Sequence, residues 1–230
     1  MDANTVNVSS ITRVAALIGE AGRIQMLTAL LDGNSHSASE LALVASVSPQ
    51  TASSHLSKLH AGGLIVSERR GRQRLFRLKN SDVAEAIEAL GALAQPAKTC
   101  TVPELRFARS CYDHLAGVLA ISLRNQLLKN GALRPHNGYF TVTPAGKRLL
   151  HNFDIDVDSL LALRRSFSRK CLDWTERHPH IGGALGAALL GALIHRKWLA
   201  RMRGTRALRL THVGQREFER VFSIRCPAFQ

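Results

Sequence analysis

Residues 37–78, SASELALVASVSPQTASSHLSKLHAGGLIVSERRGRQRLFRL, spell two short helices, a tight connection and a basic hairpin. Ser37 followed three residues later by Glu40 is a capping box, in which each side chain satisfies a backbone donor left free at a helix start. Leu41 and Ala45 recur at helical spacing until Ser46 and Val47 break the run. Ser48 and Pro49 restart it, because a serine N-cap and a proline in the first helical position both suit a helix N-terminus. From there Ala52, Leu56 and Leu59 fall on one face and are expected to be buried.

That leaves Gln50, Thr51, Ser53, Ser54, Ser57 and Lys58 facing outward. A face of hydroxyls, one amide and one lysine, without a carboxylate, suits a major groove, where it reaches base edges and phosphates without like-charge repulsion. Gly62 and Gly63 end the helix. Leu64–Ser67 and Leu75–Leu78 read as strands around Arg70-Gly71. Arg69, Arg70, Arg72, Arg74 and Arg77 cluster there as an electrostatic wing for phosphates or a minor groove. The pattern is that of a winged helix-turn-helix.

AGRIQMLTALLDG, SASELALVASVSPQTASSHLSKLHAGGLI and ERRGRQRLFRL resemble the ArsR/SmtB family of bacterial transcriptional repressors, over residues 12–94. The resemblance implies a homodimer on a palindromic operator in double-stranded DNA, released by an inducer. By the family's pattern, Ser48, Gln50, Thr51, Ser53, Ser54 and His55 occupy the recognition-helix positions that meet DNA, with Lys58 on the same outward face. Arg70, Arg72 and Arg74 occupy the wing. Pro49 stands where the family often has glutamine, so the operator sequence does not carry over.

The chain has 230 residues, 45% of them hydrophobic, enough to bury one or two cores. Its net charge of +14 suits a polyanionic partner. Residues 1–95 carry 9 Lys+Arg against 8 Asp+Glu, and residues 96–230 carry 22 against 9, so the excess lies outside the winged helix. A second functional class follows from that distribution: a nucleoid-type architectural protein binding DNA with low sequence preference. No basic, hydrophobic signal sequence opens the chain, and the apolar run Ile181–Ile194 is too short for a bilayer, so a cytoplasmic protein with no membrane partner is expected. Four cysteines, Cys100, Cys111, Cys171 and Cys226, show no CxxC pairing and argue against a disulfide framework. No Gly-rich phosphate loop, HExxH or nucleophile elbow is present. An enzyme is not expected, Cys171 with His178 or His180 being the only nucleophile and base on offer.

The fold class expected is mainly α with small β-hairpins, α+β overall. Ser10–Ile18 and Arg23–Leu31 read as scaffold helices, and Ser81 caps a helix through about Ala94. In the family resembled, that helix and the first one pair across the dimer; packing within its own monomer is the alternative. Gln95–Pro103, with two prolines, marks a linker. The domains expected are therefore a DNA-binding and dimerisation domain over 1–95, a linker over 96–103 and a C-terminal domain over 104–230.

Within the C-terminal domain, CYDHLAGVLAISLRNQLL leading to YFTVTPAGKRLLHNF recurs as HPHIGGALGAALLGALI leading to ALRLTHVGQREFERVF. The duplicated units run over 104–154 and 171–223. Each is expected to hold a helix rich in small residues, a strand ending in threonine and a short helix capped by that threonine, as two wing-like repeats. Gly117 and Ala120 are expected to pack against Gly183, Gly186 and Ala187. Chance similarity in an alanine- and glycine-rich chain is the alternative.

Many members of the family resembled sense metals through cysteines on the first helix of the reading pair, or through Asp and His on the helix after the wing. Here residues 40–44 hold no cysteine and residues 82–94 no histidine, so no metal is expected at the familiar sites. Cysteine and histidine gather instead in the C-terminal domain, and Cys111, His114, Cys171, His178 and His180 form the candidate sensor. Cys-x-x-His on a helix puts thiol and imidazole on one face, a spacing that suits zinc or another thiophilic ion. A buried structural cysteine is the competing assignment. The basic neighbours Arg164, Arg165, Arg169 and Lys170 are expected to lower the Cys171 thiol pKa and make it reactive. The sequence does not specify a cofactor; the inducer classes left open are a small molecule, a metal and an oxidant.

Overall fold

Helix caps and turn residues place most of the elements in the first part of the chain. The computed structural model describes residues 7–71, 73–94 and 103–226. Arg72, Cys100 and nearly all of the expected linker lie outside them. The chain is about 52% helix and 20% strand, a mixed α+β architecture. It forms two compact units, Met1–Ile87 and Glu88–Gln230. The division falls inside a helix rather than at the proline-containing segment.

In the first unit, α1 (Val8–Ile18) is capped by Asn7 and α2 (Ala21–Ala29) by Glu20. A short strand, β1 (His36–Ser37), leads into α3 (Ala38–Val44), where both bonds of the Ser37–Glu40 capping box are made. The turn after α3 carries Ser46 at φ 51°, and α4 (Pro49–Ala61) starts on the Ser48 cap, whose side chain accepts from Thr51 N. The wing strands β2 (Ile65–Arg70) and β3 (Gln73–Leu78) pair antiparallel from Ile65 opposite Leu78 to Arg70 opposite Gln73. They run further toward the tip than the apolar residues alone suggested. β1 adds a third strand beside β3, which sequence periodicity does not reveal because two residues are too few to alternate. Met26, Leu27, Leu30, Leu41, Ala52, Leu59 and Leu78 form its fully buried centre. α5 (Ser81–Leu93) follows.

The second unit runs twice through hairpin, helix, hairpin, helix. The first passage is α6 (Pro103–Phe107), β4 (Arg109–Cys111), β5 (His114–Ala116), α7 (Val118–Lys129), β6 (Leu133–His136), β7 (Tyr139–Val142) and α8 (Pro144–His151). After α9 (Val157–Leu161) comes the second: β8 (Arg169–Leu172), β9 (Pro179–Gly182), α10 (Gly183–His195), β10 (Leu199–Arg201), β11 (Leu208–Leu210) and α11 (His212–Phe222). The threonine caps are present at matching places. Thr143 accepts from Gly146 N at the start of α8, and Thr211 from Gly214 N at the start of α11. The glycines are required by close approach: a Cβ on Gly146 would sit 2.0 Å from Ala132 O, and on Gly214 2.1 Å from Trp198 O.

The two passages exchange their first hairpins. Ser110 N donates to Arg206 O at 2.9 Å, and Lys170 N to Gly138 O at 2.9 Å, so each β-hairpin at the start of one half lies against the later hairpin of the other. Gly117 and Gly183 do not serve a helix–helix contact as the small-residue pattern suggested. They sit at φ 91° and 77° where hairpin turns into helix, and a Cβ on either would come within 2.6 Å of a carbonyl, Arg106 O or Ser166 O. Behind them Leu119, Leu123, Leu185, Leu190, Leu193 and an aromatic group of Phe153, Trp198, Phe218 and Phe222 fill one core. Among the described residues no single helix is long and apolar enough to cross a membrane.

Candidate nucleic-acid interface and a buried cysteine-histidine cluster

The helical period divides α4 into two faces. Ala52, Leu56 and Leu59 are buried, while Ser48, Gln50, Thr51, Ser53, Ser54, Ser57 and Lys58 are exposed. Ser48 Oγ also lies 2.9 Å from Thr51 Oγ1, which fixes the first turn of the exposed face. His55 departs from its neighbours. It is 9% exposed, its Nε2 lies 3.4 Å from the Glu20 carboxylate, and its ring lies against Gly22. Three residues after Ala52 and beside Leu56, it falls on the scaffold side of the helix, so the expectation that it meets DNA is corrected.

In the wing, Arg70 and Arg74 are exposed. Arg70 pairs with Glu68 at 3.0 Å, and the Arg74 guanidinium lies 5.2 Å from the centre of the Phe76 ring. Arg74 also shares a groove with Ser53, Ser57 and His60, which puts wing and exposed helix face on one continuous surface. Arg72, the third expected wing contact, lies outside the described residues.

In the second unit the candidate sensor residues converge, with one exception. Cys111 and His114 are not on a helix. They oppose one another across the β4–β5 hairpin, which turns at Tyr112 (φ 58°). Cys171 and His180 oppose one another in the same way across β8–β9. Exchange of the hairpins brings the two pairs together: Cys111 Sγ lies 3.9 Å from Cys171 Sγ, and His114 Nε2 3.1 Å from His180 Nε2. One ligand atom from each of the four lies within 4.8 Å of the others, and all four side chains are buried. His178 is exposed and stands outside the cluster. Cys226 is also apart from it, and burial raises its thiol pKa to about 11.

The other nitrogen of each imidazole faces a carboxylate. His114 Nδ1 is 3.2 Å from Asp113 Oδ1, and His180 Nδ1 is 3.4 Å from Asp173 Oδ2, an electrostatic contact rather than an aligned hydrogen bond. Each carboxylate is held in turn by an arginine, Asp113 by Arg165 at 2.6 Å and Asp173 by Arg109 at 2.8 Å. Asp173 also accepts from Gly117 N at 2.7 Å, across from one half to the other.

These contacts set the protonation states. Burial opposes charge at His114, but the hydrogen bond to Asp113 and the contact with Cys171 outweigh it and raise its pKa to about 9. The Cys171 thiol is drawn far down, first by its bond from Cys111 and then, against burial, by His114 and His180. Cys111, the donor, is pushed up correspondingly. The direction expected for Cys171 is present, but its leading causes are the facing thiol and imidazoles rather than the basic run before it. Burial of Asp173 is outweighed by His180 and Arg109, which hold its carboxyl below the usual range.

Sequence reading missed Arg109 and Asp113 as partners of this cluster. The signal was present: Phe107-x-Arg109-x-Cys111-x-Asp113 returns as Phe167-x-Arg169-x-Cys171-x-Asp173. The cysteines are 60 residues apart and the histidines 66, because the second hairpin has a longer turn, and this change of offset broke the alignment.

Comparison with known proteins matches part of the first unit to a family and, for one relative, runs along nearly the whole chain. Residues 20–67 match the bacterial regulatory protein, arsR family. An uncharacterized HTH-type transcriptional regulator of Bacillus subtilis (strain 168), YdfF, is 40% identical over 222 residues, covering 94% of this chain and 98% of that protein. Among solved structures, the homodimeric winged helix-turn-helix domain of Mb0332 from Mycobacterium bovis is 23% identical, with a TM-score of 0.38, over 43% of this chain and 91% of that one. Reduced HlyU from Vibrio cholerae is 28% identical, with a TM-score of 0.35, over 38% of this chain and 90% of that one.

Proposed function

The chain belongs to the ArsR family of helix-turn-helix transcriptional regulators, and from that premise we propose that it is a dimeric repressor of a palindromic operator, released by an inducer acting on its C-terminal part. The observation that carries this is the exposed, carboxylate-free face of α4 beside the arginine wing. Gln50, Thr51, Ser53, Ser54 and Lys58 reach base edges in the major groove, Ser48 stands at the backbone, and Arg70, Arg72 and Arg74 hold phosphates or the minor groove. Residues 1–95 read DNA and dimerise; residues 104–230 form a duplicated domain that receives the signal.

Dimerisation has a physical motive in α1. It buries none of its residues, and Val8, Ile11 and Val14 are exposed at helical spacing. A stripe of that kind needs a partner to leave water.

A second reading, an architectural protein with low sequence preference, draws on the basic excess in residues 96–230. Sequencing the genomic fragments retained by the full-length protein separates the two. A repressor enriches a palindrome and binds it at least ~10³-fold more tightly than unrelated DNA. Retention without a common motif, at equal affinity for unrelated duplexes, supports the architectural reading and overturns the operator.

A further inference from the structure

We propose that Cys111, His114, Cys171 and His180 form a closed, four-coordinate site for one thiophilic metal ion of the zinc class, built between the two halves of the second unit. This is independent of the DNA-binding reading, and the site lies away from the first helix of the reading pair and the helix after the wing.

Geometry is the first support. A tetrahedral zinc ion places two thiolates about 3.8 Å apart and two imidazole nitrogens about 3.3 Å apart, given bonds near 2.3 and 2.0 Å. The sulfurs here are 3.9 Å apart and the Nε2 atoms 3.1 Å apart. Symmetry of supply is the second: each hairpin gives one Cys and one His from directly opposed positions.

The outer contacts are the third. An ionised carboxylate only accepts, so Asp113 and Asp173, each facing an Nδ1, favour a proton there and leave the two Nε2 atoms turned toward one another as the available ligand atoms. At 3.1 Å the two Nε2 atoms share a proton when no metal is bound, and an entering metal ion takes that proton's place. A disulfide between Cys111 and Cys171 would leave the histidines unexplained. A metal ion answers for all four. Carboxylates that orient the distal nitrogen of a ligating histidine, and are anchored themselves as Arg165 and Arg109 anchor these, are the usual second layer of such sites.

Two sulfurs and two imidazoles exclude calcium and magnesium, which take oxygen ligands, and favour Zn²⁺ or Co²⁺ among divalent ions. On binding, two metal–sulfur and two metal–nitrogen bonds form, and the thiols and the imidazole pair, where protonated at the ligating atoms, release those protons to solvent. The dication and two thiolates then cancel, so the buried site carries no net charge. Four protein ligands leave no open position, which fits a site that locks the halves together rather than one that activates water.

The test uses full-length protein, stripped with chelator and kept reduced, titrated with Co²⁺ and then Zn²⁺. Expected are intense tetrahedral d–d bands and thiolate-to-cobalt charge transfer saturating at one ion per chain, bleached by Zn²⁺, with a rise in melting temperature. Cys171→Ser and His180→Ala should each lose the tetrahedral spectrum, and Cys226→Ser should keep it. Zinc should also slow alkylation of Cys111 and Cys171 in the wild type, a readout that needs no variant to fold. Octahedral or absent cobalt bands in reduced wild-type protein would overturn the proposal. So would a Cys111–Cys171 disulfide that reforms after reduction and denies the ion access, or full-strength tetrahedral binding by a Cys111→Ser, Cys171→Ser double variant.

Discussion

Arg109 and Asp173 face each other at 2.8 Å with both side chains wholly shielded from solvent. They come from opposite halves of the second unit, and the Arg109 guanidinium also lies 4.9 Å from the centre of the Trp174 ring. Removing one partner of such a pair strands a buried charge, which costs about 3–5 kcal/mol. Asp173→Asn should therefore shift chemical unfolding of the full-length protein by that amount. Because the folded pKa of Asp173 is lowered, its stabilisation is present above the ordinary value of 3.8 and is lost as pH falls through the folded value. The gap between wild type and variant should narrow on acidification; a gap independent of pH, or a neutral substitution, would refute this account.

A second ion pair, in the first unit, carries the opposite pH signature. His36 Nε2 lies 2.8 Å from Asp32, and that hydrogen bond raises the His36 pKa above 6.5 despite partial burial. A raised histidine stabilises fully below 6.5 and ceases to do so as pH rises through its folded value. Asp32 is lowered, its burial outweighed by His36 and Asn34, so its share is lost on the acid side. His36→Gln should cost about 1 kcal/mol near pH 5.5 and less near pH 8.5, measured by urea unfolding at both. A larger loss at the alkaline pH would contradict the assignment.

On α4, Gln50 is exposed and carries the amide suited to a bidentate contact with adenine. Gln50→Ala should weaken operator binding by about 1–3 kcal/mol and relax preference at one base position, while binding to unrelated DNA stays unchanged. Competition electrophoretic assays with operator variants check this, and equal losses on all sequences would remove Gln50 from base readout.

Arg74 should behave differently, since it sits in the wing over Phe76 rather than on the reading helix. Arg74→Ala should weaken binding to all duplexes alike and reduce the slope of log K against log salt by about 1. An unchanged slope would show that Arg74 neutralises no phosphate.

Ile11 is 52% exposed on α1 between Val8 and Val14. Placing a charge there should prevent the stripe from pairing, so Ile11→Glu should sediment as a monomer and lose operator affinity while keeping its helical circular dichroism. A variant that remains dimeric would place the interface elsewhere.

The winged helix was legible because its signals are local. Ser37 with Glu40, Ser48 with Pro49, and Gly62-Gly63 mark ends through bonds to their own neighbours, and Leu56 and Leu59 mark a face by spacing alone. His55 escaped that reading because the family's pattern places it in a DNA-facing stretch, whereas its position on the helix turns it to Glu20.

The β4–β5 hairpin of the second unit reads as helix in the sequence for a different reason. Every residue of Arg109–Cys111 and His114–Ala116 is buried, so no alternation of exposed and buried positions separates strand from helix. The threonine caps and their glycines were visible twice because each is a bond between residues three apart.

By itself the sequence determined the caps, the buried faces of the first unit, the carboxylate-free reading face and the recurrence in the second half, all set by contacts within a turn or two of chain. Only the tertiary structure decided that Cys111 and His114 meet Cys171 and His180, that Asp113 and Asp173 stand behind the imidazoles, and that Arg109 reaches across to the other half. Apart from the two aspartates, which lie near their own histidines in the chain, the partners in these contacts are 60 or more residues apart. They are brought together by the exchange of two hairpins, a long-range pairing that no local spacing encodes.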